Sequence, residues 1–133
     1  MKDCIFCKIV SKEVKANIVF ESDNLLCILD AYPEEVGHCL ILTKNHKENI
    51  FELEDSQAEL ILPLAKKVAL AIKKSMHAEG INIIQNNGAL AKQVIMHYHL
   101  HIVPRYEQPP IEQSREQIAK LLQEEIDAQT ESD

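Results

Sequence analysis

The chain predicts an α+β fold: a five-stranded, mostly antiparallel sheet with one long helix packed across it and a second helix at the C-terminal end. Three observations lead there. Three short apolar runs are complete by residue 43. A three- and four-residue apolar period then fills residues 55–76, and two further short runs follow at 81–85 and 94–103. Strands grouped before and after one long helix, instead of alternating with helices, describe α+β and not a parallel sheet.

Residues 4–12 can form a short helix with Ile5, Phe6 and Ile9 on one side. Residues 17–21 read as a strand, Ser22-Asp23-Asn24 as a turn and residues 25–29 as a second strand, which makes a hairpin. A loop from Asp30 passes Pro33 and ends at Gly37; residues 38–43 form a third strand. The long helix takes its cap from Asp55 or Ser56 and buries Leu60, Ile61, Leu64, Val68, Ile72 and Met76. Pro63 kinks it or marks its true start, and Gly80 ends it. Residues 81–85 are a fourth strand, Asn86-Asn87-Gly88 opens a loop, and residues 94–103 are a fifth strand stopped by Pro104. Residues 111–128 form the last helix, burying Ile118, Leu121, Leu122 and Ile126.

A length of 133 residues suits one domain with a real core. With three glycines and no linker-like stretch, no internal boundary is placed: residues 1–133 are one domain, with 107–133 a C-terminal helical extension. The net charge of −7 disfavours a nucleic-acid backbone as partner. No apolar stretch reaches the ~20 residues of a membrane span, and the first residues lack a secretory apolar region. A cytoplasmic location follows, with the four cysteines reduced. Cys27 and Cys39 lie in apolar runs and read as core.

The chemistry is concentrated in His97-Tyr98-His99-Leu100-His101. Side chains alternate faces along a strand, so the three imidazoles share one face, about 6.6 Å apart in succession. Tyr98, Leu100 and Ile102 take the other face and can pack on the long helix. Three polar rings in a row are not ordinary core, because each must find partners or lose free energy. That face borders a cleft, a metal or solvent. A neutral imidazole can attack phosphorus near neutral pH; its neighbours can fix its tautomer, donate to phosphate oxygens or assist a leaving group. The same three rings can also hold zinc, and a solvated histidine face is the blander reading.

His97-Tyr98-His99-Leu100-His101-Ile102-Val103 resembles the His-φ-His-φ-His-φ-φ signature of the histidine triad family, φ being apolar. The resemblance continues in Cys4-Ile5-Phe6-Cys7-Lys8-Ile9, in Leu29-Asp30, in Gly37-His38-Cys39-Leu40-Ile41, in Asn86-Asn87-Gly88, at Gln93 and in Pro104-Arg105-Tyr106. It is strongest to the nucleoside phosphoramidase branch, bacterial members included. It implies that His99 attacks the α-phosphorus of a purine nucleoside 5′-monophosphate ester, amide or anhydride, forming a nucleotidyl-histidine that water hydrolyses. It implies that His101 contacts the phosphate and helps the leaving group, that His97 orients the nucleophile or supports the site from behind, and that His38 is a fourth active-site histidine. Asp30 would hold the ribose hydroxyls, Asn86 and Gln93 the phosphate side, and Ile5, Phe6, Ile9 and Ile28 would wall the base. It also implies a homodimer, with no catalytic metal and no organic cofactor.

Two departures stand out. Lys92 occupies a position where the family often has Gly before the Gln of its phosphate loop, and a side chain is tolerated there only if φ is negative. Val94 lacks the hydroxyl some relatives carry. The C-x-x-C pair Cys4 and Cys7 has ligand spacing but needs two more ligands; the resemblance to bacterial members supplies His46 and His97, with a structural zinc. His77 is assigned no chemistry. Two other functions compete: a hydrolase with one catalytic metal on all three histidines, and a nucleotide-binding regulatory module with little turnover.

Overall fold

A computed structural model describes residues 3–132, with side chains through residue 129. The elements run α1 (Ile5–Val10), β1 (Ile18–Glu21), β2 (Leu25–Leu29), β3 (Cys39–Thr43), α2 (Asp55–Met76), β4 (Gly80–Ile84), β5 (His99–Arg105) and α3 (Arg115–Ser132). The five strands form one sheet in the order β1-β2-β3-β5-β4, and every neighbouring pair is antiparallel. The α+β reading therefore holds, as does the grouping of three strands, a helix and two strands.

β2 and β3 are buried on both faces, because the sheet is covered on both sides. On one side Cys27, Leu29, Cys39, Ile41, Leu100 and Ile102 pack with Leu64, Val68 and Ile72 of α2 and with Ile118, Leu122 and Ile126 of α3. On the other side Leu26, Ile28, Leu40 and Leu42 meet Phe6 and Ile9 of α1. A short helix with two buried side chains is enough here, since it closes only part of that face. The rest of the face is left for chemistry.

Several boundaries differ from the sequence expectation, each for a physical reason. α2 begins at Asp55, capped from Glu54, whose N–H donates to Gln57 Oε1 at 2.9 Å. It runs through Pro63 without a break and ends at Met76, where His77 turns the chain with φ 58°. Gly80 starts β4 instead of ending the helix. β5 starts at His99, not at Val94. β3 offers its last partner at Leu42, opposite His99, and the chain ahead of His99 is held by a loop instead: the Tyr98 N–H donates to Lys47 O at 2.6 Å. At its other end β5 continues through Pro104 to Arg105. Beyond Ile102 only β4 pairs with it, so the missing N–H of Pro104 costs no ladder bond on the open side. α3 starts at Arg115, four residues later than expected, and Leu121 is half-buried while Ile118, Leu122 and Ile126 are buried.

Gly37 fixes the entry to β3. Its φ is 91°, and a Cβ there would lie 2.9 Å from Met76 Sδ. Only glycine meets both conditions without strain, and the next residue is His38.

Candidate active site and metal centre

The side chains of residues 97–102 alternate across the sheet even though the ladder begins at His99. Tyr98, Leu100 and Ile102 belong to the core under α2. His97 and His99 both meet Phe6 of α1 edge-on, at ring-centroid distances of 5.7 and 5.1 Å. His99 and His101 stand 5.1 Å apart. The three rings share one face but do not converge on one point, because His97 turns toward the cysteines while His101 turns toward β2.

A cavity of about 440 Å³ opens on this face. Its lining includes His99 and His101, Asp30, and the apolar side chains Ile5, Phe6, Ile9 and Ile28. Apolar walls with a few convergent polar groups describe a small-molecule site. The cavity between α1 and the sheet thus brings together seven of the residues singled out from sequence. His38 is buried just behind, on the neighbouring strand's entry.

The hydrogen bonds assign the tautomers. His99 Nδ1 lies 2.8 Å from the carbonyl oxygen of His97. A carbonyl only accepts, so Nδ1 carries a proton, and in the neutral ring Nε2 is the nitrogen that keeps its lone pair. His38 Nδ1 accepts from the Glu34 backbone N–H at 3.1 Å, which puts the proton of a neutral His38 on Nε2. That nitrogen faces His101 Nδ1 at 3.0 Å and Asp30 Oδ2 at 3.3 Å. Burial holds both His38 and His101 below the usual imidazole range, with the Asp30 carboxylate partly opposing it in each case. His101, accepting at Nδ1, therefore keeps its own proton on Nε2. Two neighbouring rings emerge in complementary states: His99 offers a lone pair and His101 an N–H. Asp30 Oδ1 meanwhile accepts the Tyr32 N–H at 2.9 Å.

Asn86 and Gln93 lie outside this cavity's lining. Gln93 is buried, and its amide is engaged within the loop: Nε2 donates to Glu48 O at 2.6 Å and to Ile95 O at 3.0 Å, while Oε1 accepts from Gly88 N at 2.8 Å. Asn86 Nδ2 donates to Lys92 O at 3.4 Å. Both tie together the loop that leads into His97. Lys92 adopts φ 71° and not the expected negative value, so the loop keeps a left-handed residue without glycine.

Beside the cavity, Cys4, Cys7, His46 and His97 place one ligand atom each within 4.8 Å of one another. His97 Nδ1 lies 3.3 Å from Cys4 Sγ and 3.6 Å from Cys7 Sγ, and His46 Nδ1 lies 3.3 Å from Cys7 Sγ. Zinc–sulfur and zinc–nitrogen bonds of ordinary length would put sulfur and nitrogen about 3.6 Å apart across a tetrahedron. His97 Nε2 donates to Thr43 O at 2.7 Å, leaving Nδ1 bare and aimed at the sulfurs. Donor set, spacing and tautomer all fit a closed zinc site. The ring of His97 is thereby committed away from His99 and His101, which removes the reading of one catalytic metal on all three histidines.

Three cavity side chains and two backbone groups escaped the sequence reading. Lys15 and Tyr32 also line the cavity, as does Arg115 from the start of α3. The carbonyl of Thr43 and the N–H of Glu34 set two tautomers, and backbone groups leave no mark in a sequence pattern. Among the described residues no helix is long and apolar enough to cross a membrane.

The arrangement of an antiparallel sheet, a histidine strand and a cavity under α1 is that of a histidine triad protein. The HIT domain model matches residues 11–108, and the chain belongs to that family. It is similar to the adenosine 5′-monophosphoramidase hnt1 of Schizosaccharomyces pombe, at 40% identity over 102 residues, covering 77% of this chain and 74% of that one. It is also similar to Protein hit of Bacillus subtilis, 38% identical over 105 residues, covering 79% and 72%. Among solved structures, a zinc-bound histidine triad family protein from Mycobacterium smegmatis superposes with a TM-score of 0.89 at 31% identity, covering 99% of each chain.

Proposed function

We propose that this protein is a nucleotide phosphoramidase or hydrolase that releases a purine nucleoside 5′-monophosphate from an amine, phosphate or ester through a nucleotidyl-histidine on His99. The observation that carries the reading is the bond from His99 Nδ1 to the His97 carbonyl at 2.8 Å, which frees Nε2 beside the cavity. In this scheme His99 Nε2 forms a bond to the α-phosphorus while the bond to the leaving group breaks. A phosphoramidate protonated on its bridging nitrogen loses a neutral amine. The N–H of His101 supports the negative charge on the phosphoryl oxygens or the departing atom. Water then attacks the phosphorus as the bond to His99 breaks: the electron pair returns to Nε2, the water's surplus proton passes to solvent, and the nucleoside monophosphate is released. Asp30 takes the ribose hydroxyls, and Ile5, Phe6, Ile9 and Ile28 enclose the base. The name and 40% identity of the fission-yeast phosphoramidase support the same substrate class.

Cys4, Cys7, His46 and His97 would hold a structural zinc, which when bound supplies a cross-link and no catalytic chemistry. The likeness to a zinc-bound relative supports this. Chain pairing into a homodimer is supported by the exposed outer strand β4, where Ile83 and Ile84 are 44% and 37% exposed. The shared core of α2 and α3 supports one domain with residues 107–133 as its extension. A cytoplasmic location fits four unpaired thiols.

The test is turnover of adenosine 5′-phosphoramidate by wild type and His99→Ala, with AMP binding measured on both. The expected loss of kcat is about 10³-fold or more, with AMP still bound. Equal rates would remove the nucleophile. AMP binding by a wild type without turnover would leave only a nucleotide-binding module.

A further inference from the structure

Arg115 stands at the start of α3, beyond the residue at which the HIT domain match ends. Its guanidinium nevertheless reaches the catalytic cavity and forms part of its wall. One of its nitrogens donates to the backbone carbonyl of Asp30 at 2.7 Å, across 85 residues of chain. The helix behind it is anchored by Ile118, Leu122 and Ile126 in the main core, so the side chain projects from a fixed base. Among the described residues no carboxylate lies within ion-pairing distance of this guanidinium: the ion pairs of Asp30 are with His38 and His101. A guanidinium has five N–H donors, and the Asp30 carbonyl accounts for the one side-chain hydrogen bond seen. Among the described residues, Lys15 and Arg115 alone bring a permanent positive charge to the cavity lining, in a protein of net charge −7.

We propose that Arg115 is a binding residue for the sugar of the nucleotide, clamping the Asp30 segment and donating its remaining N–H groups to the ribose hydroxyl oxygens. This rests on the nucleotide reading above. The division of labour is chemical. A carboxylate only accepts hydrogen bonds, so Asp30 can satisfy the hydroxyl hydrogens but not the hydroxyl oxygens. A guanidinium only donates, and it stands beside that same carboxylate's backbone. Together they would satisfy both sides of a cis-diol, which a deoxy sugar does not present. The C-terminal helix thereby becomes part of substrate recognition and not only a packing element.

The experiment compares wild type, Arg115→Ala and Arg115→Lys. AMP and 2′,3′-dideoxy-AMP are titrated by calorimetry, and KM and kcat are measured with adenosine 5′-phosphoramidate. Arg115→Ala is expected to weaken AMP binding and raise KM about tenfold, the size of one charge-assisted hydrogen bond, with a much smaller change in kcat. Arg115→Lys recovers part of the loss, because the charge and one donor return. For dideoxy-AMP the penalty shrinks to about twofold or less. Unchanged AMP affinity in Arg115→Ala, or an equal penalty on both ligands, overturns the inference while leaving the nucleotide reading intact. Failure of wild type to bind AMP at all defeats both.

Discussion

His99 donates through its ring Nδ1 to the carbonyl oxygen of His97, at 2.8 Å, while the ring of His97 faces the other way, toward Cys4 and Thr43. The residue that sets the tautomer of the candidate nucleophile does so with its backbone. Its side chain serves a different site. The two roles can therefore be separated by mutation.

Replacing His97 by Ala keeps the carbonyl and removes the ring. The ring is fully buried and satisfies Thr43 O, so its loss leaves a cavity and an unpaired acceptor. We expect a stability loss of about 2–3 kcal/mol, with kcat lowered by about tenfold or less. His99→Ala should show the reverse: near-native stability and almost no turnover. Urea unfolding and steady-state assays on both variants check this. A collapse of kcat in His97→Ala to the level of His99→Ala, in a folded protein, would place the His97 ring in the chemistry.

The metal reading makes a separate prediction. Protein purified without chelator should carry one zinc per chain by emission spectroscopy, and Cys7→Ser or His46→Ala should carry far less. Because Cys4 caps α1 and Cys7 lies within it, and the same helix supplies Phe6 and Ile9 to the cavity wall, stripping the metal should lower Tm by about 5 °C or more. It should raise KM more than it lowers kcat. Stoichiometric iron in place of zinc, or no metal at all in the wild type, would contradict the assignment.

Acid should destabilise the fold early. The folded pKa values of His38 and His101 lie below the ordinary 6.5. As pH falls through that value, the unfolded chain binds protons that the folded chain does not. Stability therefore declines with acidification from about pH 6.5 down to the folded values, and is fully present above it. Protonating His101 adds a proton at Nδ1, where it accepts from His38 Nε2 at 3.0 Å, and so breaks the contact that positions its ring; the acid limb of kcat/KM should therefore lie below pH 6.5 as well. Denaturant melts and rate profiles between about pH 8 and about pH 5 test both. A stability maximum on the acid side of 6.5 would reverse the sign.

Lys92 holds a left-handed conformation at φ 71° that its side chain disfavours. Relieving a strain of about 1–2 kcal/mol against the extra chain entropy of glycine, about 0.5–1 kcal/mol, should make Lys92→Gly more stable by about 0.5 kcal/mol. The rise in Tm is then about 2 °C, read by calorimetry. A fall in Tm would mean that the Lys92 side chain contributes contacts outweighing the strain.

The α+β sheet was legible because apolar periods are local: Leu64, Val68 and Ile72 repeat as a helix must, and residues 97–102 alternate as a strand must. The His-x-His-x-His face followed from the same alternation, whereas Ile5, Phe6, Ile9 and Ile28 read as plain core by pattern and were singled out as a cavity wall only by the family resemblance. What escaped depends on non-local partners. The sequence does not reveal that the pairing of β3 with β5 stops at Leu42, opposite His99, so the fifth strand looked five residues longer at its start. Nor does Gln93 announce that its amide is taken by Glu48, Ile95 and Gly88. Arg115 sits among charged residues of an amphipathic helix, and only the packing of α3 brings it to Asp30.

The most direct measurement is a rapid quench of wild type with adenosine 5′-phosphoramidate labelled in the α-phosphate. Quenching in alkaline denaturant preserves phosphorus–nitrogen bonds, and peptide mapping then locates the label. A transient adenylyl group is expected on His99, formed and lost at rates that sustain turnover and absent from His99→Ala. Turnover with no labelled protein at any time, or label on another residue, would contradict it.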